Sequence, residues 1–466
     1  METLKKQLVI IGAGPGGYVA ALHAAKKGVQ VALIDELYIG GTCLNVGCIP
    51  TKALIHSTKI FYQALHSAEL GIELENATFR LDQAVTHKDS VIVDLVKGIE
   101  FLLKKYQVEV ILSKASFVND HLIRVYQDGI EVLIEAQDII IATGSSSRHL
   151  PVPGVDLEKV FDSTSLLNNK ILMKDLTVIG GGIIGLEFAF MYAQIGVKVE
   201  VVEFLGQVLP MIDKDVTLRL HRYIKQLGIN LNLNSGVTKI EQLEDGRMRT
   251  YYTQKDVLKY VDSDYVLEAV GRSPNLQSLA LENTSIEHTK YGIIVDETMK
   301  TNVDHVYAIG DVTGKMQLAH VASHQAIVAV DHILGKVSSM KYDVVPSVIF
   351  TTPQIASVGF NEQQLTEKEI PYSVQKVPFS ASGRSLVEGT STGFIKYLVS
   401  ENQEKILGAT VFGDDAEHLI SAITMMMTNH LSFEKIKETI FAHPTTQELI
   451  HESALGFLKE AIHFVE

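Results

Sequence analysis

The sequence predicts an α/β protein in which one βαβ unit occurs twice and an α+β domain closes the C-terminal end. Three observations predict it. Gly12-Ala-Gly14-Pro-Gly-Gly17 follows the apolar run Leu8–Ile11 and opens a helical stretch, and an acid, Asp35, ends the next strand. The same pattern returns roughly 170 residues later: Leu176–Ile179, then Gly180-Gly-Gly182-Ile-Ile-Gly185, a helix, and a strand ending in Glu203. From about Val344 the texture changes to β-branched and aromatic strands alternating with amphipathic helices. The repeated unit marks two Rossmann-like dinucleotide-binding domains. Residues 1–145 and 275–343 are expected to build the first, 146–274 the second and 344–466 the last.

The elements follow in order. Leu8–Ile11 reads as a strand buried on both faces, Tyr18–Lys27 as a helix, and Val29–Ile34 as the second strand. The glycines let backbone approach a pyrophosphate, the helix N-terminus offers free N–H groups, and Asp35 is placed to accept ribose hydroxyls. Residues 56–110 read as mainly helical, and 108–142 as short strands with a turn at Asp128-Gly129 that close on Ile139–Ala142 and Thr143-Gly144. Pro151-Val-Pro-Gly154 is a run of turn formers and a domain boundary. In the second unit, Glu187 is expected on the first helical turn. Glu203 stands where a 2′-hydroxyl binds, and Glu203–Pro210, EFLGQVLP, holds no Arg or Lys. A 2′-phosphate needs cations there, so NAD is favoured over NADP. Residues 229–270 read as strand-rich, Gly271–Asn275 as a turn, Val306–Asp311 as a strand ending in Gly-Asp, and Ala319–Leu334 as a long helix. Asp311 fits either a hydroxyl ligand or a helix N-cap.

Composition sets outer bounds. The 466 residues allow two to four domains, and 46% hydrophobic with 21% charged residues is ordinary for a globular chain. A net charge of −14 argues against nucleic-acid or anionic-membrane binding. The apolar run Leu8–Ala25 is broken by four glycines and Pro15, so it is not a signal peptide, and no stretch reaches a membrane span. A cytoplasmic protein is expected.

All the sulfur thiols of the chain lie in one stretch, Gly40–Leu54, GGTCLNVGCIPTKAL, where Cys43 and Cys48 stand five positions apart. A distorted first helical turn brings two such sulfurs within disulfide range, and so short a loop adds little stability. A bond made and broken in turnover fits that better than a structural one. Two quiet buried thiols, or half of a zinc site, remain alternatives at this point, although no second cysteine pair exists for zinc. Lys52 lies one turn beyond Cys48 and is either solvated or on the same face. Near the end, Phe441-Ala-His443-Pro-Thr-Thr-Gln-Glu448 places an acid where it can orient an imidazole. With 17 histidines in the chain, that pairing is what singles His443 out.

Seven segments in order, GAGPGGYVAA, GGTCLNVGCIPTKAL, ATGS, GGGIIGLEFA, VGRSPN, AIGDV and HPTTQE, resemble the flavin-dependent pyridine nucleotide–disulfide oxidoreductases across essentially the whole chain. Among these the resemblance is to members that oxidise dihydrolipoyl groups with NAD. It implies a redox-active disulfide with Cys43 as the interchange thiol and Cys48 as the thiol beside the flavin. It implies His443 and Glu448 as the base and its orienter, and Lys52 paired with Glu187 beneath the flavin. FAD would meet Gly12, Gly14, Gly17, Asp35, Gly41, Thr42, Lys52, Thr143, Gly144 and Asp311, with Ala115 and Ala319 through backbone groups. NAD would meet Gly180, Gly182, Gly185, Glu187, Glu203, Val237 and Gly271. No metal is implied. The C-terminal domain would form a homodimer whose sites each borrow the His–Glu pair from the other copy, and the dimer would dock on the lipoylated acyltransferase of a 2-oxo acid dehydrogenase complex. A purely scaffolding role there is the rival reading, and the intact Cys-Cys-His-Glu set opposes it.

The CxxxxC spacing departs from the CxxC of small thioredoxin reductases, and no further cysteines exist for the mercuric or large thioredoxin reductase pattern. EFLGQVLP lacks the arginines expected of a glutathione reductase. The stretch Ser323-His324-Gln325-Ala326 replaces acidic residues and a glycine usual in the family. No lipoyl-bearing segment is expected ahead of residue 1.

Overall fold

A computed structural model describes residues 3–401 and 405–465. The chain forms two compact units. The first holds the residues up to Pro151, Val160–Leu172 and Leu267–Lys341; the second holds Val152–Lys159, Met173–Val266 and the residues from Tyr342 on.

The first unit is built on a sheet that begins with β1 (Thr3–Ile11), whose last four residues are all buried. Helix α1 (Pro15–Ala25) and strand β2 (Val31–Asp35) complete the first βαβ step. Then come α2 (Gly41–Val46), α3 (Cys48–Leu65), α4 (Leu81–Lys105), β3 (Glu109–Leu112), β4 (Ser116–Asn119), β5 (Leu122–Gln127) and β6 (Ile130–Ile141). The order across the sheet is β3-β2-β1-β6-β5-β4, with Val306–Ala308 also pairing β6. β1, β2, β3, β6 and Val306–Ala308 run parallel, so Ile11, Ile34, Ile141 and Ala308 end level with one another. Loops at the carboxyl ends of parallel strands are where such sheets bind ligands, and Gly12, Asp35, Thr143 and Asp311 lie in or beside those loops.

Residues 56–110 are mainly helical, as expected: α3 runs to Leu65 and α4 spans Leu81–Lys105, with a short 3-10 turn and a loop between them. Two expectations need correction. Gly271–Asn275 is not simply a turn. Arg272–Pro274 pairs antiparallel with Ser145–Ser147, a strand that only a partner 127 positions away creates. Glu187 is the fifth residue of the helix Ile183–Gln194, so it sits on the second turn, and the first turn carries no acid.

In the second unit, Asn230–Asn232, Lys198–Val202 and Asp175–Ile179 lie side by side in that order. An antiparallel ladder of Ser235–Gln242, Met248–Gln254 and Val257–Ser263 follows the chain out of this sheet. The C-terminal part is an antiparallel sheet in the order Ser347–Ile349, Ile355–Gly359, Ile406–Phe412, Phe394–Ser400, Tyr372–Pro378. Helices Ala416–Thr428 and Glu448–Phe457 cover it, sealing a core that includes Tyr397, Val411, Leu419, Ile423 and Leu449.

Candidate active site

The first glycine turn is shaped by close backbone approach. A Cβ on Gly17 would fall inside the carbonyl oxygen of Gly12, so only glycine allows α1 to start against the turn. Gly14 is the N-cap, and no side chain caps α1 and no acid lies in its first turn. The N–H groups at that end are therefore left for an anion. Asp35 holds the loop around them: Oδ2 accepts from Ala13 N (2.7 Å), and Oδ1 accepts from Leu37 N (2.8 Å) and Tyr38 N (3.1 Å). A carboxylate has about four acceptor positions, so Oδ2 keeps room for a hydroxyl. Ala115 is buried in the link between β3 and β4, next to Ser113, whose N–H donates to the Asp35 carbonyl.

Asp311 lies inside the 3-10 turn Gly310–Thr313 and is not an N-cap; Ile309 occupies that place. Its Oδ2 accepts from Ser145 Oγ (2.5 Å), and Ser145 Oγ in turn accepts from Arg272 Nε (2.8 Å). Gly310 N donates to the buried Gln325 Oε1 (2.6 Å). Thr143 and Gly144 are locked to Asn275: Thr143 Oγ1 donates to Asn275 O (2.8 Å), and Asn275 N donates to Gly144 O (3.0 Å). Ala319 is the first residue of the helix Ala319–Ile333, and Ser323 on the next turn donates to Pro15 O (3.3 Å) at the start of α1. Sequence reasoning did not pick out Ser145, Arg272, Gln325 or Asn275 as ligand-site supports. Their quoted motifs were visible, but their partners were not.

Gly41, Thr42 and Cys43 form the start of α2, which Gly40 caps. The chain breaks at Gly47, whose backbone is neither helical nor sheet-like, and α3 restarts at Cys48. The two cysteines thus sit on two successive helices rather than on one distorted turn. Both are thiols in this structure, Cys43 half-buried and Cys48 exposed. They are in hydrogen-bond contact: the bond with Cys48 and burial push the Cys43 thiol far above its ordinary range, against the pull of the Lys52 charge. Lys52, on α3, is therefore close enough to feel the sulfur. Burial and the neighbouring Cys43 also raise the Tyr18 phenol.

The second glycine turn repeats the first. A Cβ on Gly185 would fall inside the carbonyl oxygen of Gly180, Gly182 is an uncapped N-cap, and Glu203 replaces Asp35. Glu203 is 9% exposed. Its Oε2 accepts from Gly181 N and its Oε1 from Leu205 N (2.6 Å), which leaves one acceptor position on each oxygen for ribose hydroxyls. Glu187 is buried, and its Oε1 accepts from Phe350 N (3.0 Å). Val237 lies on the ladder opposite Tyr252, at a register shift. Gly271 falls in the first unit, where its carbonyl accepts from Arg148 N (2.9 Å).

His443 and Glu448 belong to the second unit. His443 Nδ1 lies 2.9 Å from Glu448 Oε1, and Thr445 N donates to Oε2 (2.9 Å). Burial raises the Glu448 pKa, but the bonds from His443 and Thr445 outweigh it and hold the carboxyl below its usual range. An ionised Glu448 fixes the proton on Nδ1 and leaves Nε2 as the basic atom. The imidazole is 78% exposed, so that atom is open to an incoming group.

Both glycine turns therefore fit dinucleotides by their backbone alone. Residues 6–326 match the family described as pyridine nucleotide-disulphide oxidoreductase, and residues 345–454 match its dimerisation domain. The chain belongs to this family. It is 40% identical over 458 residues to a dihydrolipoyl dehydrogenase of Chlamydia muridarum, covering 98% of this chain and 97% of that one. A dihydrolipoyl dehydrogenase of Geobacillus stearothermophilus is 38% identical over 464 residues, covering 99% and 98%. Among solved structures, LpdA from Mycobacterium tuberculosis superposes with a TM-score of 0.90 at 28% identity, covering 96% of this chain and 99% of that one. The Cu(II) complex of the HOCl-induced flavoprotein disulfide reductase RclA from Escherichia coli gives 0.87 at 31%, covering 97% and 99%. The chain is thus a flavoprotein disulfide oxidoreductase whose dinucleotides are FAD and NAD. Its C-terminal domain supports a homodimer. Among the described residues, no helix is long and apolar enough to cross a membrane.

Proposed function

We propose that this enzyme oxidises dihydrolipoyl groups to lipoyl groups with NAD⁺ as acceptor, docked on the lipoylated acyltransferase of a 2-oxo acid dehydrogenase complex. The observation that carries the reading is the sulfur contact between Cys43 and Cys48 across the Gly47 break, with Lys52 on the same helix as Cys48. Relatives named dihydrolipoyl dehydrogenase, matching end to end, support the substrate. We place the protein in the cytoplasm.

In the proposed cycle the oxidised Cys43–Cys48 disulfide meets a dithiol. His443 Nε2, from the second copy of the chain, removes one substrate proton, because only a thiolate attacks a disulfide at useful rate. The substrate sulfur bonds to Cys43 Sγ and Cys48 leaves as thiolate. The second substrate thiol gives its proton to Cys43 as its sulfur displaces it, the lipoyl ring closes, and two electrons rest on the cysteine pair. The upward shift of the Cys43 thiol fits a leaving sulfur that needs its proton returned. Bound FAD supplies the route by which that electron pair reaches NAD⁺. Asp35, Asp311 and the first turn hold the FAD; Glu203 and the second turn hold the NAD. Lys52 places a positive charge beside the reacting sulfur.

The purified protein should be yellow and should reduce NAD⁺ with dihydrolipoamide, while glutathione with NADP⁺ gives no comparable rate. Colourless protein that takes up no flavin ends the proposal. His443→Gln should keep the flavin and slow dithiol oxidation by at least about 10²-fold, the lower range for a lost general base; a loss of only a few-fold removes His443 from that role. Because Glu448 is held low, its carboxylate persists as pH falls past the unfolded carboxylate range and is lost only below it. The acid limb of the pH–rate profile above about pH 5 should therefore survive in Glu448→Gln with a reduced plateau. Disappearance of that limb in the variant would assign it to Glu448.

A further inference from the structure

The C-terminal sheet buries a lysine that none of this chemistry uses. Lys396, on the strand Phe394–Ser400, is 1% exposed. Its Nζ donates to Asp213 Oδ2 (2.9 Å), to Asp215 Oδ1 (3.0 Å) and to Glu362 Oε1. The three carboxylates offer oxygens within 4.8 Å of one another, an arrangement that needs a cation at its centre. Lys396 supplies it. Burial opposes its charge, yet the bonds to Glu362, Asp213 and Asp215 hold the ammonium above the ordinary lysine range. Bonds from Lys376 and Lys396 hold Asp215 below the usual carboxylate range against its own burial.

Stability is a poor reason to bury such a cluster. Apolar side chains of the same volume often do as well or better, whereas removing one member alone is costly. What the cluster is attached to explains it better. Asp213 stands at the N-cap position of the helix Lys214–Gln226, without a side-chain capping bond, and ends the segment that leaves Glu203. Between them, Leu209 N donates to Gly181 O (3.0 Å), inside the second glycine turn, and Ile212 N donates to Leu209 O (2.9 Å). Leu209 holds a left-handed backbone (φ 48°), a conformation that a leucine keeps only when its surroundings impose it. Val208 and Leu209 are fully buried. Glu203 grips the other side of Gly181 through its N–H. The glycine turn is thus held by a strained segment whose far end is tied down by Lys396. Asn361 Nδ2 adds a bond to Met211 O (3.0 Å), and Glu362 N one to Asp213 Oδ1 (2.9 Å), from the same C-terminal part.

We infer that Lys396 is a positioning residue for the nicotinamide dinucleotide: by fixing Asp213 it keeps the Glu203–Asp213 segment, and with it the Gly180–Gly185 turn, in the shape that NAD requires. The inference rests on the second turn being the NAD site and is independent of the dithiol substrate.

The test measures NAD⁺ binding to the oxidised, flavin-loaded enzyme by calorimetry, beside bleaching of the bound flavin by dihydrolipoamide without NAD⁺. Lys396→Met should weaken NAD⁺ binding about tenfold, raise KM for NAD⁺ with kcat nearly held, and leave the bleaching rate within about twofold. Lys396→Arg, which keeps the cation, should recover most of the affinity. A folded Lys396→Met enzyme that binds NAD⁺ as the parent does overturns the inference. So does a parallel loss of binding and bleaching, which would mark a merely structural lysine. Should Lys396→Met fail to fold, Glu362→Gln carries the test, with about threefold weaker NAD⁺ binding and normal bleaching; unchanged affinity there overturns it equally.

Discussion

The two glycine turns are near copies with different sequels. Gly14 and Gly182 cap their helices with almost the same backbone, φ −68° and ψ −174° against φ −77° and ψ −173°. Ala13 N donates to Asp35, and Gly181 N donates to Glu203. Beyond the acid they part. The first runs into α2, the Gly47 break and two thiols. The second runs into a strained segment tied to a buried lysine. Nearly the same backbone thus opens both helices, and the segment after the acid is where the two differ. On the proposed reading that segment serves chemistry in the first unit and fit in the second.

That contrast breaks if chemistry and binding cannot be separated in the first unit. The largest effect is expected from Cys43→Ser: dihydrolipoamide turnover falls to background while flavin content and NAD⁺ binding stay at parental values. Residual turnover within a few-fold of the parent would remove the thiol from the reaction. Next come the paired substitutions Gly17→Ala and Gly185→Ala, each driving a methyl group into a carbonyl oxygen. Gly17→Ala should yield protein without flavin. Gly185→Ala should stay yellow and lose NAD⁺ binding by at least about 10²-fold, as overpacking of 1–3 kcal/mol adds to lost contacts. Flavin loss in Gly185→Ala would show that the two turns are not independent sites.

How far the sequence could be read follows the same division. Each glycine turn, its acid and the Cys43–Cys48 stretch are contiguous, and local spacing was enough to find them. His443 and Glu448 are five positions apart, so their pairing was also within reach. What escaped depends on distant partners. Ser145 reads as one of three serines until Asp311 and Arg272 meet it. Arg272–Pro274 becomes a strand only by pairing with Ser145–Ser147. Lys396 is the one charge in the apolar run Phe394–Val399, and nothing near it in sequence explains its burial, because Asp213 is 183 positions away. Glu187 was misplaced by one turn because the helix starts at Ile183, directly after the N-cap Gly182. Local rules carry elements and motifs; long-range hydrogen bonding decides which polar residues are buried and why.

The smallest expected effect bears on the acids themselves. Glu203→Gln keeps the size of the side chain but replaces one oxygen by an amide. One of the two N–H donors, on Gly181 or Leu205, then loses its acceptor, and the ribose hydroxyls lose a charged one. Hydrogen bonds to charged groups are worth about 1.5–3 kcal/mol, so KM for NAD⁺ should rise at least about tenfold. The neutral side chain also no longer repels a 2′-phosphate, so discrimination against NADP⁺ should narrow. It should not reverse, because Glu203–Pro210 contains no Arg or Lys to hold that phosphate. Asp35→Asn is the matching change in the first unit, where the carboxylate serves three backbone N–H groups instead of two. It should loosen the flavin, read as faster release on dilution, and leave the NAD⁺/NADP⁺ ratio untouched. If Asp35→Asn shifted that ratio, or Glu203→Gln released flavin, the assignment of one dinucleotide to each turn would have to be exchanged.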